Sequence, residues 1–149
     1  MLTTIHNASE LTEIILDYRK KGLKIGFVPT MGALHKGHLH LVKMSKNEND
    51  ITIVSIFVNP TQFNDPRDLE KYPRTLSKDQ ELLQSTASAD ILYAPDVDDI
   101  YPDGIQSGSD IGLGGLDVMM EGSHSPGHFH GVAQVVNRLL EIVKPDNLY

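Results

Sequence analysis

The run Ile51–Asn59, ITIVSIFVN, constrains the fold more than any other stretch of the chain. It is β-branched and apolar at odd and even positions alike. Successive side chains of a strand point to opposite faces, so a strand apolar on both must be covered on both. A sheet with one wet face would alternate polar and apolar instead. The segment therefore predicts a central strand of a parallel sheet with helices above and below it.

The flanking sequence supplies those helices. Asn7 and Glu10 resemble a capping box, followed by Leu11, Ile14, Ile15 and Tyr18 at helical spacing, with Gly22 as the stop. KIGFV, from Lys24 to Val28, is a short buried strand ended by Pro29, and Gly37 to Asn49 carries Leu39, Leu41 and Val42 on a helical pattern. Ser77 and Gln80 predict a further cap, opening a helix to about Ala87, and ILYAP, from Ile91 to Pro95, is a third strand. From Gly131, Val132, Val135, Val136, Leu139, Leu140 and Val143 form a broad apolar face that Pro145 ends, and DNLY begins a fourth strand. The order α-β-α-β-α-β with short loops is that of an α/β, Rossmann-like parallel sheet with helices on both faces and right-handed crossovers. Ligands in such sheets bind outside the carboxyl ends of the strands. That singles out residues 29–38, 59–68 and the stretch after Pro95.

Length and charge narrow the function. At 149 residues one domain is expected. The net charge of −7 argues against a nonspecific nucleic-acid binder, which needs a basic footprint. No apolar run approaches the ~18 residues of a membrane span. The start MLTTIHNASEL lacks the basic and apolar regions of a secretory signal, and there is no cysteine, so a cytoplasmic location is expected. Between residues 96 and 125 the pattern is irregular and glycine-rich. GLGGLD there is not a dinucleotide fingerprint, because no strand precedes it and no amphipathic helix follows directly.

Six of the seven histidines fall in two clusters, His35, His38, His40 and His124, His128, His130. A metal site is one reading, but HKGH lacks a carboxylate at metalloprotease spacing and no thiolate is available. The nucleotide reading has a mechanism. His35-Lys36-Gly37-His38 lies between a strand's carboxyl end and a helix N-terminus, where free N–H groups and the helix dipole favour phosphate. Imidazoles there can donate hydrogen bonds as charge builds during attack at the α-phosphorus. Gly37, with no side chain, lets a flat base or ribose approach the backbone.

VPTMGALHKGHLHLV, VSIFVNPTQFN, YPRT and EGSHSPGHFHGVAQVVNRLLEIVKPD occur in order along essentially the whole chain. Together they resemble the pantoate–β-alanine ligases (pantothenate synthetases), of the HxGH nucleotidyltransferase superfamily. The resemblance implies ATP-dependent joining of pantoate and β-alanine through a pantoyl-adenylate, with Mg²⁺ as cofactor and a homodimer as the assembly. It implies that Met31, Gly32, Ala33, Leu34, His35, Lys36, Gly37 and His38 line the ATP site, with His38 as proton donor and His35 holding phosphate. Asn59 would reach toward a nucleotide phosphate, and Gln62 would bond pantoate beside the incoming β-alanine. Pro29, Met31, Val135, Val136 and Leu139 would wall in pantoate's gem-dimethyl group, although Val136 and Leu139 read equally well as plain core.

Two departures stand out. Ser125 occupies a position where the family usually has Arg before PGHF. The family also continues beyond PDNLY with a second substrate glutamine and a Lys/Ser loop over the phosphates. The chain thus resembles an N-terminal ATP- and pantoate-binding domain, residues 1–149, without the C-terminal domain, and little activity is expected of it alone. The cut would also leave a sheet edge that the fourth strand would have covered. The alternatives are another HxGH nucleotidyltransferase and a non-catalytic nucleotide- or metal-binding module.

Overall fold

A computed structural model describes residues 2–59, 67, 75–86, 89–102 and 128–149. In it Ile51–Ile56 is a strand, β3, buried at every residue after Ile51. Before it come β1 (Thr3–Ile5), α1 (Ala8–Lys20), β2 (Ile25–Thr30) and α2 (Lys36–Glu48). After it come α3 (Leu76–Thr86), β4 (Ile91–Tyr93), α4 (Val97–Ile100), α5 (His128–Val143) and β5 (Asn147–Leu148). Among the described residues the strands form one sheet in the order β1-β4-β3-β2-β5, with every pair parallel. The α/β, Rossmann-like reading of the sequence holds.

Each face of the sheet has its own core. Ile25, Phe27, Ile53, Ile91 and Tyr93 face Leu11 and Ile15 of α1 and Val135, Leu139 and Val143 of α5. Val28, Val54, Ile56 and Leu92 face Val42 of α2 and Leu83 of α3. The double coverage is what the unalternating ITIVSI requires. α1 starts where the sequence indicates: Asn7 Oδ1 accepts the N–H groups of Ser9 and Glu10 at 2.9 and 3.2 Å. Such a cap is worth ~1 kcal/mol. Gly22 (φ +72) ends the excursion beyond α1 in a conformation that side chains resist.

The structure corrects several boundaries. β1 precedes α1 and pairs with β4, so the chain opens on a strand that the sequence pattern did not indicate. α3 starts at Leu76, one residue before the expected cap; Thr75 lies just ahead of it, and Asp79 N–H bonds the Thr75 carbonyl. α5 begins at His128 rather than Gly131. The fourth strand is present: β5 pairs with β2 at Gly26↔Asn147 and Phe27↔Leu148. The edge of β2 that was expected to lie bare is therefore occupied over two residues. The glycine-rich region has one helical turn, α4, before it passes outside the described residues at 103.

Candidate active site

β2 is the topological switch point. From it the chain proceeds to β3 and β4 on one side and returns through α5 to β5 on the other. Crevices open at the carboxyl end of such a strand. The turn that leaves β2 there, Met31–His35, contains two left-handed residues, Gly32 (φ +87) and Ala33 (φ +52). For alanine that conformation costs roughly 1 kcal/mol. Here it is held by Asp79 of α3, a 3 %-exposed carboxylate that accepts Ala33 N–H and Leu34 N–H, each at 2.9 Å. Thr30 braces the start of the turn, its Oγ1 donating to the Ser55 carbonyl and accepting from Gly32 N–H.

His35 is the N-cap of α2, and the histidine pair caps the helix itself. His35 Nδ1 accepts from Gly37 N–H at 3.0 Å, and His38 Nδ1 accepts from His35 N–H at 3.2 Å. A ring nitrogen that accepts is unprotonated, so the bonding pattern assigns each neutral ring its proton on Nε2. The rings lie 4.0 Å apart, centroid to centroid. Burial holds the His38 pKa below that of a free imidazole, and His35 adds to this, against an opposing pull from Asp79. His38 is thus a neutral Nε2–H donor at neutral pH.

These contacts correct one expectation. The N–H groups of Gly32, Ala33, Leu34, His35 and Gly37 are spent inside the turn and are not free for phosphate. What the turn offers a ligand is chiefly the two Nε2–H groups at a helix N-terminus. Gly37 has a role within the turn itself. A Cβ there would come within 2.9 Å of His35 Cε1, so the glycine makes room for the capping imidazole.

A cavity of about 330 Å³ adjoins the turn, lined by Pro29, Thr30, Met31, His38, Phe57, Val132, Val135, Val136 and Leu139. All five residues expected to wall in a gem-dimethyl group meet in it, beside His38. Val135 and Leu139 are also buried members of the core, so wall and core are one surface. A second cavity, of about 460 Å³, shares Met31 and Phe57 with the first and has His6, Thr75, Asp79 and Asp96 as its polar lining. Lys36 and Gly37 are exposed, and Leu34 packs beside the α2–α3 core. Asn59 lines neither cavity: it is fully buried, and its Oδ1 accepts the Tyr101 hydroxyl at 2.9 Å. Gln62, His124 and Ser125 lie outside the described residues, and His128 and His130 fall in the first turn of α5.

Sequence reasoning missed Asp79, Thr30, Phe57 and Tyr101. Phe57 and Tyr101, 6.4 Å apart as a tilted pair, carry only the signal of aromatics just beyond β3 and α4. Among the described residues no group of three His, Cys, Asp or Glu side chains could hold a metal ion, and no helix is long and apolar enough to cross a membrane.

The parallel sheet, its switch point and the self-capped HxGH turn define an α/β domain of nucleotidyltransferase type. Residues 3–149 match the family described as Pantoate-beta-alanine ligase, and the chain belongs to that family. It is 53% identical over 146 residues to the pantothenate synthetase of Azobacteroides pseudotrichonymphae, covering 97% of this chain and 51% of that protein. The pantoate-β-alanine ligase of Francisella tularensis, solved with β-γ ATP and β-alanine, superposes with a TM-score of 0.86 at 46% identity. That match covers 100% of this chain and 56% of the other. The pantothenate synthetase of Thermus thermophilus gives a TM-score of 0.83 at 43% identity, with 100% and 51% coverage. The chain thus spans about half the length of the relatives it matches.

Proposed function

We propose that the chain is the N-terminal ATP- and pantoate-binding domain of a pantoate–β-alanine ligase, with the family's second domain outside these 149 residues. The observation that carries this reading is the convergence of Pro29, Met31, Val135, Val136 and Leu139 with His38 in one small cavity. An apolar pocket with one polar corner suits a branched hydroxy acid whose carboxylate must meet a phosphate. In the reaction pantoate's carboxylate oxygen attacks the α-phosphorus of ATP, the bond to pyrophosphate breaks, and pantoyl-adenylate forms. The amine of β-alanine then attacks the acyl carbon, AMP leaves, and the amine's proton passes to solvent or a base.

In this scheme His35 and His38 hydrogen-bond the phosphate oxygens through Nε2–H as negative charge accumulates. Their Nδ1 caps keep the rings in that tautomer, because a proton on Nδ1 would displace the backbone N–H it accepts. Gln62 binds pantoate, and Asn59 supports the nucleotide side from a buried position. The described residues form no carboxylate cage for Mg²⁺. In this reading the ion arrives as part of the nucleotide complex, bound mainly through phosphate and water. The same reading makes the complete protein a cytoplasmic homodimer, which sedimentation would check for assembly.

The test is calorimetric titration of the chain with pantoate and with ATP, alone and together, for wild type and Gln62→Ala. Saturable binding of both is expected, with pantoate weakened in the variant and ATP within about threefold, since the two contacts are separate. Zinc copurifying in stoichiometric amount and lost in His38→Ala, or no binding of either substrate, would overturn the reading.

A further inference from the structure

We propose that Asp79 is a positioning residue: from α3 its buried carboxylate sets the β2–α2 turn and, through that turn, the directions in which His35 and His38 present their Nε2–H groups. The first-turn acids of a helix ordinarily serve their own helix dipole in solvent. Asp79 does otherwise. Nearby in the chain the Thr75 hydroxyl, just ahead of α3, bonds it at 3.2 Å, whereas its bonds to Ala33 and Leu34 N–H reach residues 46 and 45 positions earlier. Both oxygens are used: Oδ2 takes Ala33 and Oδ1 takes Leu34. Two parallel bonds to a planar carboxylate fix orientation as well as distance.

The turn has little slack against that carboxylate. A Cβ on Gly32 would lie 3.0 Å from Ile56 Cγ2 and 3.2 Å from Asp79 Oδ2, so the turn packs directly on both. Leu34, pinned by Oδ1, is the residue before His35, whose extended backbone (φ −137, ψ −175) starts α2. A shift of the Ala33–Leu34 peptides therefore rotates the N-cap and with it the imidazole that accepts Gly37 N–H. The charge acts too: Asp79 pulls the His38 titration upward, against burial and His35. That the turn handles phosphate rests on the function proposed above. That Asp79 sets the turn does not.

The experiment is NMR on the ¹⁵N,¹³C-labelled 149-residue chain. In wild type the Ala33 and Leu34 amide shifts should move on acidification with one midpoint, shared with the Asp79 carboxyl carbon. Amide shifts that ignore that carboxyl overturn the proposal without any variant being needed. Asp79→Asn, which keeps the shape but leaves a single acceptor oxygen, should speed hydrogen exchange at Ala33 or Leu34 by about tenfold or more. It should also lower the His38 midpoint further and blur the ring ¹⁵N signature of a single tautomer, while amides of β3 and α5 stay unchanged. Asp79→Ala should do more, and Asp79→Glu should not restore wild-type shifts. Unchanged His38 tautomer and exchange in a folded Asp79→Asn chain would overturn the proposal. With ATP as probe, Asp79→Asn should bind about tenfold more weakly and pantoate within threefold. Failure of wild type to bind ATP would sink the phosphate reading and leave the amide result to judge Asp79.

Discussion

The two ends of the sheet use the same bond for opposite purposes. At the amino end three aspartates, each directly before a strand, accept a backbone N–H from the start of the neighbouring strand or the residue just before it. Asp50 takes Lys24, Asp90 takes Thr52 and Asp146 takes Ile25, at 2.7–2.8 Å. Around them Ser45 Oγ meets Thr52 Oγ1, Asn49 bonds Asn147 and Tyr149, and Arg19 bonds Asp146 and the Lys144 carbonyl. Polar groups here satisfy one another across elements and stop the strands. At the carboxyl end Asp79 does the same for Ala33 and Leu34, but the result is a turn that leaves two imidazole donors unspent, with His38 lining the adjoining cavity. One end closes its hydrogen bonds; the other keeps a few in reserve.

That contrast predicts that damage at the carboxyl end costs chemistry and damage at the amino end costs stability. The largest effect is expected of His38→Ala. In a protein extended to the full length of its relatives, pantoate-dependent exchange of pyrophosphate into ATP should fall by ~10²–10³, the usual loss for one transition-state donor. Its melting temperature should fall only modestly, by the loss of the bond from His35 N–H, and a variant that simply unfolds would erase the distinction.

Gly26→Ala should do the reverse. A Cβ there would come within 2.1 Å of Ser45 Oγ and 2.4 Å of Asn49 Nδ2, in the tightest part of the amino end. Overpacking of this kind costs about 1–3 kcal/mol. Urea unfolding should show the loss, while ATP affinity per folded molecule stays within twofold. A normal urea midpoint would mean that α2 can slide away from β2 at no cost.

Tyr101→Phe lies between the two cases, removing the hydroxyl that bonds buried Asn59. A loss of about 1 kcal/mol is expected, with pantoate affinity nearly unchanged because Asn59 lines neither cavity. A large fall in pantoate binding would move Asn59 into the substrate site.

The smallest effect is acid-dependent. The bond from Ile25 N–H and the Arg19 guanidinium hold the Asp146 carboxyl below the usual carboxylate range. A lowered folded pKa stabilises above the unfolded value, ~3.9, and that contribution disappears as the pH falls through the folded one. The Asp146 side chain is 37% exposed, so less than ~1 kcal/mol is at stake. Asp146→Asn should flatten stability below about pH 4 and leave the carboxyl end untouched; an unchanged acid limb would assign the acid response to other groups.

Local pattern carried most of the architecture. ITIVSI fills both faces of the sheet, and Asn7 and Gly22 bound α1 as their chemistry dictates. β1 escaped notice because Thr3-Thr4-Ile5 is three residues long at a sheet edge, with only Ile5 buried. The site was legible as residue types but not as bonds. HKGH announces imidazoles at a helix start, yet nothing in those four letters says that the rings spend their Nδ1 atoms capping the helix. Asp79 was invisible because SKDQEL reads as an ordinary acidic first turn, and its partners lie 45 and 46 residues away. Tyr101 and Asn59, 42 residues apart, are hidden for the same reason.

The switch at β2 also gives the domain a history. The bond from Lys24 to Asp50 closes a loop of 26 residues, whereas that from Ile25 to Asp146 closes one of 121. Long closures cost more chain entropy and come late unless much else is already in place. On a ribosome, β2, the histidine turn and β3 emerge before α5 and β5 exist. The histidine half of the site is therefore expected to be built first, with its apolar neighbour arriving as the closing piece. Pulse-labelled hydrogen exchange should then find β2–β3 amides protected ahead of β5, and simultaneous protection would mean that the whole sheet condenses in one step.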